Sequence, residues 1–170
     1  MSGGDGGTLL HWLVAAVGKI RDEGLQRAAS VHAARLAGPR GLKIIEVPDV
    51  APRPGQLLAA LRREGEALRR ATEGTWRMAL TERGQAWDTR TLAEHLARQR
   101  DQGIKVSFLL GGAEGLDPEL EADAEGRLAL SRLTFPHELA RVILLEQLFR
   151  VDSLWRGSPY HRDGLPGERR

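Results

Sequence analysis

Two groups of residues in this 170-residue chain have types and spacings suited to chemistry. Beyond the last helical pattern, Tyr160, His161 and Arg162 set an aromatic ring, an imidazole and a guanidinium side by side. Such a ring can stack on an unpaired base, the guanidinium can contact phosphate, and the imidazole can exchange a proton near neutral pH. The plainer reading of the same residues is a frayed terminus. The second group is Gly111-Gly112, followed by Ala113-Glu114-Gly115-Leu116. Without Cβ atoms, the glycine pair lets backbone amides and carbonyls come close to a flat ligand. From two glycines alone, a plain tight turn with no ligand is the favoured reading.

Other chemistries lack their residues. His137-Glu138 begins like H-E-x-x-H, but Arg141 stands where the second histidine belongs. The five histidines show no metal-ligand spacing, and the absence of cysteine excludes disulfides, thiolate zinc sites and thiol nucleophiles. No dinucleotide fingerprint, P-loop or G-x-S-x-G is present. The net charge is +2, and nearly all of the 25 cations are arginine. That balance is compatible with a nucleic-acid partner and equally with an Arg-rich composition of no functional meaning. No apolar run approaches the roughly 20 residues that span a bilayer, and the N-terminus has glycines where a signal peptide has basic residues. The expectation is a cytoplasmic protein with no membrane and no metal.

The elements that must position these groups alternate between strand and helix. Met1–Gly7 reads as a disordered extension. Thr8–Val17, Leu42–Val47, Trp76–Leu80, Ile104–Leu110 and Arg127–Leu130 read as strands. Arg21–Leu36, Gln56–Ala71, a segment from Thr89 or Thr91 to Gln102, a short stretch opened by Pro118, and Pro136–Val151 read as helices. Pro48–Gly55, with three prolines, is a loop. The alternation predicts an α/β domain with a mostly parallel sheet flanked by helices. Ligands of such sheets sit at the carboxyl ends of the strands, which puts Leu80, Gly111-Gly112 and Ser131–Phe135 on one rim. The helix Pro136–Val151 is apolar almost all round, the pattern of a helix buried in a core or an interface.

The run LLGGAEGL at Leu109–Leu116, the stretch Leu130–Arg150 and the tail SPYHR at Ser158–Arg162 resemble the SPOUT methyltransferases, and within them the rRNA large-subunit methyltransferase H family. Val17-Gly18-Lys19, Glu46-Val47-Pro48 and Ala79–Gly84 add to the likeness, which runs from about Leu13 to Asp163. The family loop is similar to GG-P-E-G-L, with Ala113 here in place of proline. Thr81 stands where the family often has Asp, and Phe135 where leucine is usual.

The resemblance implies an α/β fold with a C-terminal trefoil knot spanning about residues 104–151, an active-site tail at 152–163, and a disordered end at 164–170. It implies one methyltransferase domain over residues 8–163, acting as a homodimer in which the tail completes the site across the two subunits. S-adenosyl-L-methionine would be held by three segments: Leu80, Gly111 with Gly112, and the loop Ser131, Arg132, Leu133, Thr134, Phe135 and Pro136. The implied reaction is methylation of N3 of a pseudouridine in large-subunit (23S) rRNA within assembled ribosomes. N3 must lose its imide proton, a task for His161, with Arg141 or Arg162 giving electrostatic help and Tyr160 stacking on the base. Two further readings stay open: the same enzyme class acting on another RNA such as tRNA, and a silent ribosome-associated RNA-binding protein.

Overall fold

The computed structural model describes residues 12–36 and 41–158. Five strands form one sheet: β1 (Trp12–Val17), β2 (Leu42–Val47), β3 (Trp76–Gln85), β4 (Val106–Leu110) and β5 (Gly126–Leu128). Their order is β2-β1-β4-β3-β5, and every pairing is parallel. The central strands β1 and β4 are buried along their whole lengths. Near-continuous apolar runs belong to strands covered on both faces, which explains why LVAAV and VSFLL lack alternation.

The five helices are α1 (Glu23–Leu36), α2 (Leu57–Ala71), α3 (Thr89–Asp101), α4 (Pro118–Asp123) and α5 (His137–Trp155). Val14, Ala16, Phe108 and Leu110 point to one face of the sheet and pack with Leu92, Leu96, Leu144, Leu145 and Leu148. Ala15, Val17, Ala79 and Leu109 point to the other and meet Leu68 of α2 and Leu120 of α4. The result is three layers, with α1, α3 and α5 opposite α2 and α4. Leu144, Leu145, Leu148 and Val151 are fully buried. Each such side chain stabilises the fold by about 1.5–3 kcal/mol, so α5 is a principal anchor of its layer.

The expected α/β architecture is present, and several boundaries move. Of the first expected strand, Trp12–Val17 falls among the described residues. α1 begins at Glu23, α2 at Leu57, and β4 at Val106. β5 occupies Gly126–Leu128, so Leu130 lies in the following loop. β3 continues past Leu80 to Gln85 because its end rejoins β5: the Ala129 amide donates to the Gln85 carbonyl at 3.0 Å. Gly84 permits this closeness, since a Cβ there would sit 2.5–2.6 Å from the backbone of Leu128 and Ala129.

α5 continues past Val151 to Trp155, which places residues 152–155 of the expected tail inside a helix. Its polar end is satisfied internally: Asp152 pairs with Arg156 at 2.6 Å, and the Ser153 hydroxyl donates to the Phe149 carbonyl at 2.8 Å. Gly157, at φ 64°, then closes the helix, as the Ser158 amide reaches the Ser153 carbonyl and the Gly157 amide that of Leu154. This pair of bonds is the Schellman stop.

Candidate active site

Three neighbouring strands, β4, β3 and β5, end at a common rim, and a cleft of about 810 Å³ opens there. Its apolar lining includes Leu110 and Leu128, the last residues of β4 and β5, and Leu80 midway along β3. Its walls come from the loops that follow. The β4 loop contributes residues 111–116, the β5 loop contributes Leu130, Ser131 and residues 133–136, and α5 contributes His137 and Ala140. The rim expected from the strand-end rule is therefore one continuous site. Of its expected residues, Arg132 is the one that does not line the cleft.

The glycine loop folds back on itself. The Gly115 amide donates to the Gly112 carbonyl at 3.1 Å, and Gly115 adopts φ 87°. Gly111 is the strictest position: a Cβ would lie 2.2 Å from both the carbonyl carbon and oxygen of Gly115. Gly112 is looser, with its nearest clash at 3.2 Å from Val17 Cγ1. Across the cleft, the Ser131 hydroxyl accepts from the Leu133 amide at 2.9 Å, while the Leu133 side chain stands 72% exposed at the mouth. The cleft thus combines apolar side chains at Leu80, Leu110 and Leu128 with loop backbone, and a set of polar and charged side chains on one wall.

One polar cluster on the wall was not legible in the sequence. The Glu121 side chain, brought by α4 and 9% exposed, accepts from Thr81 Oγ1 at 3.0 Å. It also accepts from Arg83 Nε at 3.1 Å and Nη2 at 2.6 Å, a two-pronged guanidinium–carboxylate pair. Hydrogen bonding to Glu121 raises the pKa of Arg83 and holds it charged. A carboxylate is thus present beside position 81 although the residue there is threonine.

Arg141 is placed differently from the rim residues. It is 3% exposed and does not line the cleft. Nη1 donates to Glu46 Oε1 at 2.7 Å, and Nη2 donates to the carbonyls of Gly18 at 2.8 Å and Val17 at 3.3 Å. The guanidinium ties the start of α5 to the ends of β1 and β2. One turn earlier, Glu138 accepts from the Asp22 amide at 3.2 Å, and bonds from the Asp22 and Arg21 amides lower its pKa. Tyr160, His161 and Arg162 lie outside the described residues. Among the described residues no group of three or more metal-ligating side chains occurs, and no helix is long and apolar enough to cross a membrane.

Comparison with known proteins converges on one family. The family described as "Predicted SPOUT methyltransferase" matches residues 10–161. A protein of Caulobacter vibrioides named ribosomal RNA large subunit methyltransferase H is 44% identical over 81% of this chain and 83% of its own. One of the same name from Heliobacterium modesticaldum is 40% identical over 91% of this chain and all of its own length. Among solved structures, a "probable methylase family protein" of Haemophilus influenzae superposes with a TM-score of 0.58 at 12% identity, covering 94% of this chain and 74% of that one. A "probable methyltransferase" of Bordetella pertussis gives 0.54 at 15% identity, covering 86% and 96%. These last two bear on the fold alone. Sequence likeness at this level over nearly the whole chain places it firmly: the chain belongs to the SPOUT methyltransferases, among the proteins named ribosomal RNA large subunit methyltransferase H.

Proposed function

We propose that the protein transfers a methyl group from S-adenosyl-L-methionine to N3 of a pseudouridine in large-subunit (23S) rRNA, acting on assembled ribosomes. The observation that carries this reading is the cleft at the ends of β4, β3 and β5, in a chain of this family. Its apolar floor at Leu80, Leu110 and Leu128 suits an adenine ring, and the turned-back loop at Gly111–Gly115 presents backbone polar groups at the same wall. When bound there, the cofactor supplies an electrophilic methyl on a sulfonium. The chain's own work is to orient it and to exclude water, which Leu80, Gly111, Gly112 and the loop from Ser131 through Pro136 do in this reading. Correct placement of nucleophile and methyl can be worth roughly 7–11 kcal/mol of the barrier.

Proton removal falls to the tail. His161 accepts the N3 proton, Arg162 stabilises the resulting anion, and Tyr160 stacks on the extruded base. Arg141, with its guanidinium held by Glu46 and two carbonyls, fixes the α5 wall and takes no direct part in the reaction. Residues 8–163 serve as one domain, the segment at about 104–151 forms a trefoil knot, and the tail works across a homodimer. What favours a second copy is α5, where the apolar side chains of Leu139 and Ile143, one turn apart, remain partly exposed. Burying such apolar surface is what stable association requires.

The test has two stages. Calorimetric titration with S-adenosylmethionine should show binding, and radiolabelled methyl transfer should favour whole ribosomes over free rRNA and tRNA. Absence of cofactor binding sinks the enzyme reading. Preference for tRNA, or equal rates on an isolated stem-loop, sinks the substrate assigned here.

A further inference from the structure

The Thr81–Glu121–Arg83 cluster lies on the cofactor cleft, and the functional reading above gives it no task. Among the described residues lining that cleft, Arg83 is the one arginine or lysine, and Glu82, Glu114 and Glu121 are the carboxylates. A wall with one fixed cation among acids is a poor seat for RNA, whose phosphates would meet a net negative surface. It suits a zwitterion. S-adenosylmethionine ends in one, an α-amino acid group with a carboxylate and an ammonium, next to the positive sulfonium.

Geometry favours Arg83 as the anchor for the anionic half. Glu121 is nearly buried and grips Nε and Nη2 of Arg83, while Arg83 itself stays 76% exposed. Among the described residues, Nη1 has no hydrogen-bond partner. An arginine so held has lost its rotamer freedom before any ligand arrives, which lowers the entropy lost on binding. Thr81 completes the support by donating to Glu121 Oε1, so that carboxylate is fixed from two sides.

We infer that Arg83, held by Glu121 and Thr81, binds the amino-acid carboxylate of S-adenosylmethionine, and that the neighbouring acids accommodate its positive groups. This rests on the methyltransferase reading of the cleft. The discriminating ligands are S-adenosylhomocysteine, which keeps the amino-acid end and has no net charge, and 5′-methylthioadenosine, which lacks that end. Because both are neutral overall, a uniform change in the potential of the cleft affects them alike, and a difference between them reports on the amino-acid end.

Calorimetry on the wild type and on Arg83→Gln should show affinity for S-adenosylhomocysteine falling by about ten-fold or more, the scale of a lost charge-assisted pair. Affinity for 5′-methylthioadenosine should stay within about two-fold, a difference of under half a kcal/mol. Glu121→Gln keeps the guanidinium but loosens it, so its loss should be smaller and confined to the same ligand. Equal losses for both ligands would show a distorted cleft and overturn the inference, as would no loss for either. Unchanged cofactor affinity with a raised KM for ribosomes and a shallower salt dependence would assign Arg83 to RNA, again overturning it. Failure of the wild type to bind either ligand overturns the methyltransferase reading itself, and the inference with it.

Discussion

Arg141 separates a structural from a chemical role more sharply than any other residue of the chain. Its guanidinium donates to Glu46, Gly18 and Val17 at 2.7, 2.8 and 3.3 Å and is almost wholly enclosed. Arg141→Met keeps a long apolar stem and removes every donor. Breaking one partner out of a buried charge pair costs about 3–5 kcal/mol. Here the Glu46 side chain is 36% exposed and regains water, so the lower end applies, about 3 kcal/mol. For a chain of this size each kcal/mol shifts Tm by about 2–4 °C, giving a fall of about 6–12 °C.

Thermal and urea denaturation should show that loss. Methyl transfer assayed well below the lowered Tm should retain kcat to within a few-fold. Arg141→Lys preserves the charge but not the fork, and its Tm should lie between those of Met and the wild type. A Met variant with unchanged Tm and abolished turnover would refute the reasoning, because the guanidinium would then act on the reaction and not on the α5 wall.

Three further outcomes follow from the same physics. Gly111→Ala pushes a methyl to 2.2 Å from the Gly115 backbone and should lose cofactor affinity outright, with about 1–3 kcal/mol of stability, whereas Gly112→Ala meets a buried Val17 methyl at 3.2 Å, needs a far smaller shift and should keep most of both, as read by calorimetry and melting. Removing Tyr160–Arg170 should leave cofactor affinity within a few-fold and eliminate methyl transfer; equal loss of both would make the tail structural. His95 sits between Trp76 and Trp87 at 5.2 and 4.8 Å with Nε2 buried and unpaired, and burial, aided by the Arg98 charge, lowers its pKa. The unfolded chain therefore takes up more protons, so stability present above its ordinary pKa of about 6.5 is lost as pH falls through that value and towards the folded one. His95→Phe should flatten the decline in Tm between about pH 7 and 5, and a decline unchanged in that variant would assign it to other groups, His32 first.

Much of the sheet was legible because its central strands are apolar on both faces: Trp12–Val17 and Val106–Leu110 stand out as runs. The site was legible through the ends of those strands, since glycines after β4 and a loop before α5 follow from chain order alone. Boundaries failed where polar residues satisfy themselves locally. Asp152 and Ser153 look like a helix end in sequence, yet Arg156 and the Phe149 carbonyl absorb them inside α5. Likewise TERGQ lacks a strand pattern, and β3 continues through it because Gly84 fits against β5. The Glu121 contacts lie 38 and 40 residues away in sequence, and those of Arg141 lie 95 to 124 away. No periodicity reports such pairs.

The departures from the family pattern are best understood through what the cleft is made of. Ala113 replaces proline in the turned-back loop, yet the Gly112–Gly115 bridge that shapes the loop uses backbone atoms and is present without it. Phe135 in place of leucine still presents an apolar wall. Thr81 in place of aspartate is the one change that removes a charge, and α4 brings a carboxylate to the same spot through Glu121. A site assembled from strand ends and loop backbone tolerates side-chain exchange as long as its turns survive, and the Gly112–Gly115 turn is formed in this chain. The charged groups are different, because each works only while its partner is in place. Arg83 depends on Glu121 for its orientation, and the α5 wall depends on Arg141 meeting Glu46 and the end of β1. Variation should therefore be harmless at Ala113 and Phe135 taken singly, and harmful at Glu121 or Arg141 unless the partner changes with it.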